Sequence, residues 1–183
     1  MAANQPPWPR QWLMTDERIG DRLWEAVGRL PKGGGIIFRH YGLGDADRLE
    51  LGLKLARRAS ERNLVLGVAG SRQLADRLGA ALVHNPEGPC KLPTSMAVHN
   101  DAEARAARKA GAALAFIAPV FTTRSHPARP ALGVDRAVDL AALTGCPAIA
   151  LGGMDEARFA ELESAHPGAF HGFAGIDCWL KSA

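Results

Sequence analysis

Short apolar runs alternate along the chain with longer stretches in which apolar positions recur every three or four residues. The first run, QWLMT at 11–15, reads as a strand, and the stretch from Glu17 to Leu30 places Ile19, Leu23, Ala26, Val27 and Leu30 on one helical face. GGGIIFRH turns through glycines into a second strand. Asp45 is expected to cap a second helix that buries Leu49, Leu53 and Ala56. NLVLGVAG predicts a third strand, followed by a short helix from Ser71 to Leu78. AALVH and SMAVH are the fourth and fifth strands, and the NPEGPCKLPT between them is too rich in proline for a full helix. Asn100 caps DAEARAARKAG, ALAFIAPVF is a sixth strand, and Val134 to Leu143 is a helix. PAIALGG, a helix from Glu156 to Ser164, and GFAGID complete the alternation.

Strands that are apolar on both faces and joined by helices of this length belong to a parallel sheet. Eight in succession, with no interruption long enough for a second domain, predict an α/β fold: a compact single-domain (β/α)8 TIM barrel over residues 1–183. Residues 1–10 read as a flexible N-terminal segment. Only CWLKSA follows the eighth strand, so the last helix is truncated or missing and that barrel edge is expected to be exposed. The segment PPWPRQW, or a second copy of the chain in a homodimer, would cover it.

Composition sharpens this in a few places. With 47% hydrophobic and 22% charged residues, 183 residues suffice to bury one core. No run approaches the length of a membrane helix, and MAANQPPWPRQW has no signal-peptide character, so a cytoplasmic protein is expected, without a membrane partner. The net charge of +3 does not imply nucleic acid, because the arginines are interleaved with Asp and Glu over several helices. Cys90, Cys146 and Cys178 are widely spaced, which suggests reduced thiols rather than disulfides or a zinc site.

In a barrel of this kind the strand C-termini surround the active site. Here those ends carry Thr15, Asp16, Arg39, His40, His84, His99, the run from Thr122 to His126, Gly152, Gly153 and Asp177. Most of the side chains are cationic or hydroxylic, and glycines after the seventh strand suit a phosphate held on backbone N–H groups. A small phosphorylated molecule is the ligand this pattern predicts.

The order of the motifs is itself informative. RH on the second strand, LGAALVH on the fourth, AVHNDAEARAARKAGA on the fifth and its helix, PVFTTRSHP…LG on the sixth and PAIALGGM on the seventh resemble the thiamine phosphate synthase and TenI family over nearly the whole chain. The resemblance implies a protein of thiamine biosynthesis. Synthases of that family join a pyrimidine methyl diphosphate to a thiazole phosphate, with diphosphate leaving; some TenI proteins instead move a proton on a thiazole phosphate.

Carried over by position, Arg39 matches the family's diphosphate-binding arginine, Thr123 and Ser125 its two hydroxyls, and Gly152 and Gly153 the glycines near the thiazole phosphate. Other positions depart from it. Ile37 and Tyr41 replace a glutamine and a lysine, His126 replaces a lysine, Ala97 a serine, and Asp177 a phosphate-binding serine. Ala69 and Gly70 stand where a metal-binding Asn-Asp is expected, PEGP leaves only Glu87 nearby, and Pro119 replaces the TenI histidine. No metal site is therefore expected in the chain, and magnesium would enter only with a substrate diphosphate.

His126, Ser125 and His84 are the expected catalytic candidates, and Arg39, His40, His99, Thr123, Gly152 and Gly153 the expected binders of phosphate or substrate. The resemblance implies a thiazole phosphate, a pyrimidine diphosphate or thiamine phosphate as the ligand. A divergent synthase-like transferase, a thiazole phosphate tautomerase and a non-catalytic phosphate-binding barrel all fit. His84 and His99 could equally be structural histidines, and Gly152 and Gly153 could simply turn the chain out of its strand.

Overall fold

The computed structural model describes residues 8–123 and 130–180. Eight parallel strands, paired in chain order, close into a barrel when the last pairs with the first. They are β1 (Gln11–Met14), β2 (Gly35–Phe38), β3 (Val65–Ala69), β4 (Leu82–His84), β5 (Thr94–Val98), β6 (Leu114–Ile117), β7 (Ala148–Leu151) and β8 (Gly172–Gly175). The helices around them are α1 (Leu23–Arg29), α2 (Asp45–Glu61), α3 (Arg72–Leu78), α4 (Asp101–Lys109), α5 (Val134–Thr144) and α6 (Glu156–Ala165). The segment between β4 and β5 forms no helix among the described residues, as its prolines require. No helix there is long and apolar enough to cross a membrane.

The barrel interior is a packed core built from large and small residues in facing positions. Trp12 of β1 meets Phe116 of β6 edge-on at 5.7 Å, and both are fully buried. Trp12 fits because β2 offers Gly35, where a Cβ would lie 2.2 Å from the indole. Gly67 on β3 does the same for Ile37 and Leu82.

The surrounding helices correct three expectations. The predicted helix over residues 17–30 is broken: a 3-10 stretch Glu17–Arg22 precedes α1, with Gly20 at φ 47° and ψ −132°, a conformation glycine supplies without strain. Ile19, Leu23, Ala26, Val27 and Leu30 are nevertheless all buried. In α2 the N-cap is Gly44 rather than Asp45, which is the first helical residue. The same helix buries Gly52, Leu55 and Ala59 and leaves Leu53 50% exposed. Close approach decides that face, because a Cβ at residue 52 would sit 2.6 Å from Leu78 and 3.1 Å from Phe38.

Among the described residues β8 is followed by one 3-10 turn, Asp177–Trp179. The outer face of β8 is not left open. Trp179 stacks on Phe173 at 5.9 Å with an interplanar angle of 10°, and Phe159 of α6 covers the same ring at 5.3 Å. The Trp179 indole N–H donates to the Trp12 carbonyl at 3.0 Å across the seam between β8 and β1. Residues 8–10 are tied to the same seam: the Phe173 amide donates to the Arg10 carbonyl at 2.7 Å, and His171 Nε2 lies 2.6 Å from the Trp8 carbonyl.

Candidate functional site

The C-terminal ends of the strands enclose a cavity of about 260 Å³. Arg39, His84, His99, Thr123 and Gly152 all line it, as do Tyr41 and the apolar Met14, Pro119, Leu151 and Ile176. A wider cleft of about 620 Å³ adjoins it, sharing Thr123, Leu151, Gly152 and Ile176 and adding Gly153, Arg18, Arg158 and Asp177. Ser125 and His126 lie outside the described residues. His40 does not line the cavity.

Each side chain is held by identifiable contacts. Arg39 follows β2; its Nε donates to the Thr15 carbonyl at 2.8 Å and its Nη2 to Asp16 Oδ2 at 2.9 Å. Asp16 in turn accepts the Arg18 amide at 3.1 Å, and Arg18 Nη2 reaches Asp177 Oδ1 at 3.2 Å. A chain of alternating charge therefore crosses the mouth from β2 over β1 to β8, and the Asp177 carboxylate faces a cation. Thr15, fully buried, accepts the Arg39 amide at 2.9 Å and contacts His40 Nδ1 at 3.0 Å. Burial lowers the His40 pKa, which the charges of Glu17 and Asp16 partly offset.

His84, only 3% exposed, lies edge-on to Phe116 at 5.3 Å, with Nδ1 3.0 Å from the Ser95 hydroxyl. Burial, helped by the charges of Arg39 and His99, pushes its pKa down to about 3, so the ring is neutral near pH 7. His99 is half-buried, and its Nδ1 lies 2.8 Å from Glu103 Oε2. Burial would raise the Glu103 carboxyl, but hydrogen bonds from the His99 ring and amide take it below its usual value. Cys178 lies beside the cleft, and burial and the neighbouring Asp155 push its thiol up to about 12.

The glycines after β7 build the floor between the two spaces. Gly152 (φ 98°) and Gly153 (φ 62°) lie in the left-handed region, and a Cβ on either would come within 2.7 Å of Pro119 or of the Thr122 carbonyl. Neither amide donates a hydrogen bond to another described group. Arg158 of α6 reaches over them, donating to the Gly153 carbonyl and packing over the Phe121 ring at 5.2 Å. Two amides without a partner among the described groups, beside guanidinium groups, are the chemistry that can hold an anion.

Arg18, Arg158 and Glu103 were not legible as site residues. Arg18 and Arg158 sit in helical segments that follow strand ends, and only the spacing Asn100-x-x-Glu103, a capping box, marked the third.

A resident divalent cation does not fit these residues. Both Asp16 oxygens are engaged by arginine, and no group of three His, Cys, Asp or Glu side chains gathers among the described residues.

Comparison with known proteins gives a consistent picture. A family model described as thiamine monophosphate synthase matches residues 12–170. A putative thiamine-phosphate synthase 2 of Aquifex aeolicus (strain VF5) is 23% identical over 188 residues, covering 94% of this chain and 98% of that protein. The structure of a thiamine phosphate pyrophosphorylase from Pyrococcus furiosus superposes with a TM-score of 0.76 at 21% identity, covering 92% of this chain and 85% of that one. The YdjI aldolase from Escherichia coli K12 shares the fold at a TM-score of 0.61 and 10% identity, over 92% of this chain and 75% of that one.

Proposed function

The chain belongs to the thiamine monophosphate synthase family, and from that premise we propose that it binds a small phosphorylated heterocycle of thiamine biosynthesis, a thiazole phosphate above all. The ring occupies the cavity lined by Met14, Pro119, Leu151 and Ile176, and the phosphate lies in the adjoining cleft on the amides of Gly152 and Gly153. The observation that carries this reading is the pair of unengaged glycine amides, flanked by Arg158 and Arg18, at the junction of an apolar and a cationic space. A cavity of about 260 Å³ with its cleft suits one ring and one phosphate.

Calorimetric titration with thiazole phosphate and with the corresponding unphosphorylated thiazole alcohol tests it. The phosphate form binds at least tenfold more tightly, and Arg158→Ala weakens it by roughly 1.5–3 kcal/mol, the range for hydrogen bonds to charged groups. Equal affinity for the two ligands overturns the reading.

A second reading concerns the chemistry. Joining two rings requires stabilisation of a departing diphosphate, and here Arg39 is committed to Asp16 and Thr15 while no group of three His, Cys, Asp or Glu side chains gathers among the described residues. These observations favour proton transfer on the bound thiazole phosphate over ring joining. Pyrimidine diphosphate and thiamine phosphate, titrated in the same way, bind more weakly if that is so.

A further inference from the structure

The three described histidines at or beside the mouth have different kinds of partner. His40 and His84 each place Nδ1 against a buried hydroxyl, of Thr15 and of Ser95. His99 places Nδ1 against a carboxylate: Glu103 Oε2 lies 2.8 Å from the ring nitrogen and accepts the His99 amide at 2.7 Å. The carboxylate is itself held. Glu103 Oε1 accepts Asn100 Nδ2 at 3.1 Å, and the Glu103 amide donates to Asn100 Oδ1 at 3.0 Å.

This is a capping box at the start of α4 with a displaced reach. In the usual box the glutamate returns to the N-cap amide. Here the N-cap is Asn100, and Glu103 passes it to take the amide and the ring of the residue before. A helix cap alone does not need the ring contact. An ionised carboxylate only accepts hydrogen bonds, so the ring must carry its hydrogen on Nδ1. In the neutral ring Nε2 then bears the lone pair, on a residue that lines the cavity and has no other side-chain hydrogen bond among the described residues.

We propose that His99 Nε2 is the proton acceptor and donor for the bound phosphorylated heterocycle, and that Glu103 is the positioning residue that fixes its tautomer. The inference rests on the ligand reading above. Nε2 takes a proton from a ring carbon of the ligand; the C–H bond breaks and its electron pair stays in the heterocycle. The imidazolium so formed faces the Glu103 carboxylate, as in a catalytic triad, where the acid orients and stabilises the histidine without itself taking the proton. The same proton returns to a different ring atom, which leaves a tautomer of the ligand and regenerates neutral His99. No oxidant, reductant or co-reactant is consumed. Among the described residues the other charged or titratable groups lining the cavity are Arg39, which is paired with Asp16, His84, which burial keeps neutral near pH 7, and Tyr41, whose phenol burial pushes above its ordinary value.

Two measurements on the full chain test the two halves separately. In 15N NMR of the imidazole nitrogens, the signal set lost in His99→Gln shows a protonated Nδ1 and an unprotonated Nε2 in the wild type above neutral pH. Glu103→Gln retains that pattern through its amide oxygen, and Glu103→Ala shifts it toward protonated Nε2. In deuterium oxide with saturating thiazole phosphate, wild-type protein exchanges a ring hydrogen for deuterium. Exchange falls to background in His99→Gln and at least tenfold in Glu103→Ala, with Glu103→Gln between Glu103→Ala and wild type. A wild-type ring protonated on Nε2 overturns the positioning role. Thiazole phosphate that binds without exchanging, or that His99→Gln exchanges at the wild-type rate, overturns the proton-transfer role alone. Failure of wild-type protein to bind thiazole phosphate overturns the ligand reading and the proton-transfer role with it.

Discussion

Lowering the pH from 7 to 5 is expected to destabilise the barrel by about 2 kcal/mol through His84 alone. The ring is sealed between Phe116 and Ser95, and its pKa is pushed from the ordinary 6.5 to about 3 by burial and by the charges of Arg39 and His99. Between those two values the unfolded chain takes up a proton that the folded chain refuses, so protons favour unfolding. The contribution is present in full above pH 6.5 and is lost progressively as the pH falls toward 3. Each pH unit inside the window is worth roughly 1.4 kcal/mol, and the interval from 6.5 to 5 therefore amounts to about 2 kcal/mol. His40, also lowered by burial, acts in the same direction, and the carboxylates add their own dependence. The comparison is therefore a double difference. Wild type and His84→Gln are each unfolded in urea at pH 7 and at pH 5; the glutamine fills much of the site and can bond Ser95 but cannot titrate. The wild type should lose about 2 kcal/mol more than the variant. Equal losses would show that water or a rearranged floor lets His84 accept its proton in the folded state.

Two further substitutions probe other parts of the molecule. Trp179→Ala removes the ring stacked on Phe173 and the bond to the Trp12 carbonyl, and should cost roughly 3–5 kcal/mol in urea unfolding; a loss below about 1 kcal/mol would mean that β8 is covered by other means. Asp177→Asn removes the carboxylate paired with the partly exposed Arg18, so stability should change by less than about 1 kcal/mol while calorimetry shows tighter binding of inorganic phosphate. Unchanged or weaker phosphate binding would separate Arg18 from the anion site.

The eight strands were legible because a strand buried on both faces reads as an apolar run, and QWLM, GIIF, LAFI and AIAL are such runs. The face of α2 was not. Its leucines at 49, 51, 53 and 55 alternate, which supports no single helical register, and Gly52 decides the outcome by letting Leu78 and Phe38 approach. Gly20 was unreadable for a related reason: a glycine within a periodic stretch can be tolerated or can break the helix, and the pattern around it is the same in either case. For the site, the strand-end rule names residues by position along the chain, and that is enough to gather Arg39, His84, His99, Thr123 and Gly152 around one cavity. It says nothing of arginines that reach the mouth from helical segments, such as Arg18 and Arg158. Nor does it separate neighbours on one strand end: Arg39 lines the cavity, while the adjacent His40, at φ 37°, is buried against Thr15.

The seam between β1 and β8 has a consequence during synthesis. Trp12 and Trp179, whose hydrogen bond fastens it, are 167 positions apart. A ribosome adding roughly 5–20 residues each second separates their appearance by about ten to thirty seconds. Throughout that interval β1 can gain β2 on one side but offers an open strand edge on the other, beside an indole whose place is in the barrel interior. The half-made barrel is thus a template for pairing with a neighbouring nascent chain. A chaperone that shielded residues 11–14 would have to act within this interval, and the yield of correctly closed barrels is expected to depend on translation speed as well as on the stability of the finished fold.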